Sequence, residues 1–151
     1  MMFSACGFRC DLCPAFKDNI VRPGDQRVVA EGWKRFFDIE MEPARIICDG
    51  CFSEFVEGNA LPARECRTRD CVTEKGLETC ADCAEYPCEH RETTMSSVEK
   101  ARDKHAGSIS AEDHEKYFEP YEARRNLEAI SKGRCLTHPF TRVLYGAVPT
   151  A

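Results

Sequence analysis

The stretch Cys66-Arg67-Thr68-Arg69-Asp70-Cys71-Val72-Thr73-Glu74-Lys75-Gly76-Leu77-Glu78-Thr79-Cys80-Ala81-Asp82-Cys83-Ala84-Glu85-Tyr86-Pro87-Cys88 decides how this chain folds. It holds five cysteines, and its only Leu, Ile, Val or Phe residues are Val72 and Leu77. Widening the window to residues 57–95 adds one more, Leu61. Ordering a backbone costs roughly 1–2 kcal/mol per residue, and so little apolar surface cannot offset that. The segment is therefore either disordered or held by something other than apolar burial. Its thiols supply the alternative, because structural zinc contributes on the order of 10 kcal/mol of folding free energy.

The surrounding chain sharpens the contrast. Its 151 residues suffice for one domain of ordinary size or one with a small appended module. Leu, Ile, Val and Phe together make 29 residues, just under the level at which chains often fail to fold. Yet the net charge is only −5, from 21 basic and 26 acidic residues. Ten of the 11 cysteines fall between Cys6 and Cys88, which leaves Cys135 by itself in the last third. No run approaches the ~20 apolar residues of a membrane span, and the N-terminus lacks the apolar core of a secretory signal. A cytoplasmic location is the expectation, where disulfide frameworks are rare and clustered cysteines bind metal. The odd cysteine count also suits complete disulfide pairing poorly. The mild acidity argues against a generic polyanion binder.

Three segments follow from composition: a cysteine-rich metal-binding module over residues 1–93, a helical segment over 94–135, and an extended tail over 136–151. Within the first, residues 25–40 place Val29, Trp33, Phe36 and Phe37 on one helical face. Pro23-Gly24 and Pro43 bound that helix. In the second, the pattern predicts a helix over 96–105 and a break at Gly107. A second start at Ser110 resembles a capping box with Asp113 in the Glu position. Pro120 ends that short helix, and Ala123, Leu127 and Ile130 share one face of the next, with Gly133 as its C-terminal cap. The fold class expected is a small, irregular, α-rich, metal-stabilised fold, with zinc knuckles in the N-terminal part and helices in the C-terminal part.

The cysteines are spaced Cys6-x3-Cys10-x2-Cys13, Cys48-x2-Cys51, Cys66-x4-Cys71 and Cys80-x2-Cys83-x4-Cys88. A Cys-x2-Cys turn brings two sulfurs to one side, and zinc takes four such ligands at about 2.3 Å, commonly as two pairs. Gly50 supplies the permissive backbone such a turn needs. The simplest partition gives about two zinc ions: one on Cys10, Cys13, Cys48 and Cys51, the other on Cys66, Cys71, Cys80 and Cys83. Cys6 and Cys88 are alternates, either able to replace a neighbour. The same thiolates could serve an iron–sulfur cluster. The Cys6-x3-Cys10-x2-Cys13 spacing also occurs in radical-SAM enzymes, but this chain has too few strand-like runs for their partial barrel. A redox dithiol lacks the βαβ context it needs.

The string Cys6-Gly7-Phe8-Arg9-Cys10-Asp11-Leu12-Cys13-Pro14-Ala15-Phe16 resembles the opening motif of an uncharacterised prokaryotic cysteine-rich family, catalogued as a domain of unknown function. The likeness continues in Cys48-Asp49-Gly50-Cys51 and is densest over residues 71–88, covering roughly residues 4–90. Thr68-Arg69-Asp70 departs from the family's usual Ile-Arg ahead of Cys71. The resemblance implies a zinc-binding module and no enzyme activity.

No catalytic constellation is evident: there is no glycine-rich phosphate loop, no HExxH pair and no GxSxG elbow. Whether the chain is an enzyme is left open. Of the histidines His90, His105, His114 and His138, only His90 lies near a cysteine cluster, and an exposed role is expected for it. Cys6, Cys88 and Cys135 are the candidates for free thiols. Arg64, Arg67 and Arg69 form one basic cluster. Arg67 and Arg69, with Arg9, Lys17 and Lys75, are expected to offset thiolate charge rather than grip nucleic acid, which stays the weaker partner reading. Two four-thiolate zinc sites would add about −4, taking the net charge from −5 to roughly −9. The function expected is a zinc-binding protein of unknown activity, its zinc structural and its module an interaction scaffold. The alternative is an iron–sulfur or thiol-based redox protein. An unidentified protein partner stays open, and no membrane partner is expected.

Overall fold

Val29, Trp33 and Phe36 recur at helical spacing and form the buried face of α1, Asp25–Phe37. In the computed structural model, residues 1–133 are described, with the backbone alone at 92–96. The Asp25 carboxylate opens α1 by accepting from the backbone N–H groups of Val21 (3.0 Å) and Arg22 (2.8 Å). The helix stops at Phe37 rather than Glu40, because Asp38 turns left-handed (φ 57°) and its N–H closes onto the Lys34 carbonyl at 3.2 Å. Asp is one of the few non-glycine residues that tolerate this conformation.

Four further helices follow: α2, Arg67–Glu74; α3, Glu89–Lys104; α4, Ala111–Tyr117; and α5, Ala123–Ser131. Helix α3 starts directly after Cys88, seven residues ahead of the expected Ser96. The only periodic apolar signal, Val98 and Ala101, sits late in it, whereas its first turn buries an arginine, Arg91. It also carries the chain through residues 93 and 94 without a break. Helix α4 opens on Ser110, whose hydroxyl accepts from Asp113 N–H at 3.0 Å, as its sequence predicts. Ala123 and Leu127 are buried and Ile130 half-buried on one face of α5, and Gly133 (φ 61°) stands just past its end. The described part is thus small and α-rich. Among the described residues there is no strand, only isolated bridges at Phe3/Arg9 and Phe16/Cys48. No helix among them is long and apolar enough to cross a membrane. The expected extended tail, Cys135 and His138 lie outside the described residues.

Two apolar clusters hold these pieces. The larger joins Val29, Trp33 and Phe36 to Ala15, Ile46, Ala101, Tyr117, Phe118 and Tyr121. Its rings meet edge-on or tilted, with Phe36 5.2 Å from Phe118 and 5.5 Å from Tyr117. Gly32 is required there, since a Cβ at this position would enter the Tyr117 ring. The smaller cluster is Ala5, Val72, Cys80, Ala123 and Leu127. Both depend on the C-terminal helices, so the cysteine-rich module does not bury its apolar residues unaided. Hydrogen bonds repeat the link: Arg9 N–H donates to the Pro120 carbonyl (2.8 Å) and Asn126 Nδ2 to the Gly7 carbonyl (2.9 Å).

Candidate metal centre

The first Cys-x2-Cys segment, Cys10 to Cys13, is a tight turn in which Cys13 N–H bonds the Arg9 and Cys10 carbonyls at 3.0 and 3.1 Å. That turn aims the N–H groups of Ala15 and Phe16 at the Cys13 sulfur. The second Cys-x2-Cys segment, Cys48 to Cys51, turns at Gly50 (φ 108°), a backbone conformation that favours glycine, and Gly50 N–H reaches the Cys48 sulfur. The Phe16/Cys48 bridge sets the two Cys-x2-Cys turns side by side: Cys48 N–H donates to the Ala15 carbonyl and Lys17 N–H to the Cys48 carbonyl, both at 2.9 Å. The pairing closes the long loop that carries α1. Cys10 accordingly lies within the electrostatic reach of Cys13, Cys48, Cys51 and Cys6.

Burial dominates the acid–base behaviour of these thiols. It pushes Cys10 far above the usual thiol range, reinforced by its cysteine neighbours, and raises Cys13 and Cys48 against their N–H bonds. Burial likewise lifts Cys51 to about 11. Such thiols stay protonated at neutral pH unless a cation offsets the charge, and a divalent metal deprotonates a coordinating thiol outright. Among the described residues, no group of three or more His, Cys, Asp or Glu side chains is set to hold a metal ion as it stands. The donor chemistry nevertheless suits a soft divalent metal, with thiols in tight turns and backbone N–H groups turned toward sulfur. All ten cysteines among the described residues are free of disulfides.

The remaining thiols divide in a way the spacing did not reveal. Cys66 precedes α2 and lies within reach of Cys51, as does Cys6. Cys71, Cys80, Cys83 and Cys88 line one cavity of about 40 Å³, together with Val72, Lys75, Tyr86, His90 and Arg91, and Cys66 is not on its wall. Burial raises Cys80 to about 11, with Arg91 opposing the shift and Cys6, Cys88 and Cys71 adding to it. Cys6 is thus felt at both places, and its sulfur meets Ser4 Oγ at 3.1 Å.

Two residues invisible to the spacing matter here. Tyr121 Oη accepts from Trp33 Nε1 at 3.1 Å, which leaves its own proton free to point at Cys13 Sγ, 3.3 Å away. Arg91, 2% exposed, reaches across from α3 to the Cys6 carbonyl at 3.0 Å. Only a cysteine-rich strip deprived of apolar partners hinted that a buried cation belonged there. Of the basic residues expected near thiolates, Lys75 Nζ stands 3.5 Å from Cys83 Sγ, while Lys17 pairs with Asp49 (3.1 Å) and Arg9 with Asp11 (2.7 Å). In the arginine cluster, Arg64 stacks on the Phe55 ring (3.6 Å) and Arg69 donates to the Ala63 and Arg64 carbonyls. Those two guanidinium groups are committed within an open groove of about 620 Å³ beside Cys51. His90 Nε2 lies 3.0 Å from Thr68 Oγ1, and His105 meets the Phe36 ring edge-on.

The chain matches no curated protein and no solved structure. A family model does match it, over residues 2–93, and that range spans both Cys-x2-Cys turns, α2 and the thiol-lined cavity. The chain therefore belongs to the family described as "Protein of unknown function (DUF3795)".

Proposed function

We propose that this chain is a zinc-binding scaffold whose metal is structural, with Cys10, Cys13, Cys48 and Cys51 holding one ion. The observation that carries this reading is the pairing of two Cys-x2-Cys turns by the Phe16/Cys48 bridge, with N–H groups aimed at the Cys13 and Cys48 sulfurs. Zinc there would offset two of the four thiolate charges and cross-link the ends of the α1 loop. The chain's own residues do the positioning. Gly50 sets the second turn, Tyr121 offers its hydroxyl to Cys13, and Trp33 orients that hydroxyl. Four thiolates would leave zinc no open coordination position, which suits a structural role. The scaffold's expected use is to present a surface to a protein partner.

Elemental analysis of reduced, freshly purified protein tests this. Stoichiometric zinc in a colourless sample supports it, and metal-free reduced protein overturns it. Brown protein from anaerobic purification moves the same thiolates to an iron–sulfur, redox function. A nucleic-acid role predicts salt-dependent retention on RNA or DNA that Arg67→Glu weakens. Retention unchanged in that variant counts against it.

A further inference from the structure

The cavity beneath α2 and α3 contains a charge with no counter-ion. Arg91 is 2% exposed, and its Nε–H, fully buried, has no hydrogen-bond partner. One terminal nitrogen donates to the Cys6 carbonyl, and no carboxylate among the described residues pairs with the guanidinium. A buried, unpaired cation is costly enough that proteins rarely keep one. Glu85, on the same wall, is engaged by Lys75 at 2.9 Å. Among the described residues on that wall, the groups left to balance Arg91 are the thiols.

We propose that Cys71, Cys80, Cys83 and Cys88 form a second four-thiolate metal site, with Arg91 as its buried counter-cation. The proposal rests on the zinc-binding reading above, and it assigns Cys88 rather than Cys66 to this site. Placement supports it, since these four cysteines share a cavity that Cys66 does not line. Charge supports it as well: a divalent ion on four thiolates carries about −2. Arg91 inside, and Lys75 at the rim 3.5 Å from Cys83 Sγ, stand where that charge would fall. The orphan Nε–H is a ready donor to a ligand sulfur. About 40 Å³ exceeds the ~10–15 Å³ that one water-sized sphere occupies, so the cavity has room for an ion; the sulfurs do not converge as they stand, and binding requires them to turn inward. On binding, four S–H bonds are exchanged for four metal–sulfur bonds, and four protons pass to solvent.

Metal content per full-length chain, by native mass spectrometry and elemental analysis, is the test. The parent is expected to hold two zinc ions, Cys66→Ser two, and Cys88→Ser one. Two ions in Cys88→Ser with one in Cys66→Ser overturns the assignment. Metal-free parent protein instead overturns the underlying zinc reading, so the two failures are distinct. If Cys88→Ser does not fold, Cys88→His keeps a ligand in place. Cobalt substituted into it should show an altered thiolate charge-transfer band for one of two ions, and an unchanged spectrum overturns the proposal. Chelator competition then probes Arg91, a positioning residue. Arg91→Met should weaken one zinc about 10–100-fold and leave the other unchanged, with Arg91→Lys partly restoring it. Equal affinities in parent and Arg91→Met would remove Arg91 from the site.

Discussion

Residues 25–46 and residues 57–91 order themselves by different means within one small chain. The first region buries Val29, Trp33, Phe36 and Ile46 in a ring-rich cluster completed by Tyr117, Phe118 and Tyr121. The second buries only Val72 and Cys80, plus the polar residues Thr68, Thr79 and Arg91. Apolar burial at roughly 25 cal/mol per Å² can hold the first. It cannot hold the second, whose buried groups are mostly polar, sulfur or charged. The lesson is that cysteine density rises where apolar density falls, so the two kinds of cohesion substitute for one another along the chain.

Metal removal is the hardest blow to that contrast. On the zinc-binding reading proposed above, stripping the metal with a strong chelator under reducing conditions should cost on the order of 10 kcal/mol per site. Hydrogen exchange should then show loss of protection in α2, whose end is tied by the Leu77 N–H to Val72 carbonyl bond (2.9 Å). Protection of the middle of α1 should persist longer. Simultaneous loss in both helices would mean that the regions are not separable.

From the apolar side, Phe36→Ala should cost about 3–5 kcal/mol in urea unfolding followed by Trp33 fluorescence, because Phe36 is fully buried among rings. Gly32→Ala forces a methyl into the Tyr117 ring, which itself hydrogen-bonds the Val28 carbonyl at 2.8 Å. About 1–3 kcal/mol of destabilisation follows from overpacking. Neither change should alter how much zinc a folded chain carries.

Tyr121→Phe strikes where the regions meet. It leaves the buried Trp33 Nε1–H without its acceptor, worth about 1–3 kcal/mol, and takes a donor from Cys13. Thermal unfolding reads the first effect, and chelator competition at the proposed Cys10, Cys13, Cys48 and Cys51 site reads the second.

The smallest effect is electrostatic. Asp11 is partly buried, which by itself would raise its pKa, but Arg9 and the Met2 N–H more than offset this and bring the pKa down to about 2. Its pKa is depressed on folding, so its contribution is present above the usual value near 3.8 and is lost as pH falls toward 2. Solvent screening limits it to about 0.2–1 kcal/mol. Asp11→Asn should therefore show a small, constant deficit above pH 5 that closes toward pH 2 in chemical denaturation.

Local signals were strong enough in the sequence to place α1, the Ser110 cap and the α5 face. Each depends on neighbours within a turn or two, or on a spacing that geometry makes meaningful. The start of α3 was not legible, because its first turn carries no apolar stripe and buries Arg91 instead. Nor was the role of Tyr121, which meets Cys13 from far along the chain. Sequence spacing grouped Cys66 with Cys71 as a wide pair, but α2 carries Cys71 to the cavity while Cys66 stays at the helix start, near Cys51.

What the amino-acid sequence determined unaided was composition and its consequences: an α-rich chain, a thiol-dense strip too poor in apolar residues to cohere by burial, and membership of a cysteine-rich family. Those properties are local or additive, so they survive without coordinates. Tertiary structure decided which thiols face which cavity, that the C-terminal helices complete both cores, and that a buried guanidinium stands among the sulfurs. Such facts depend on contacts between residues distant in the chain, and only folding brings those residues together.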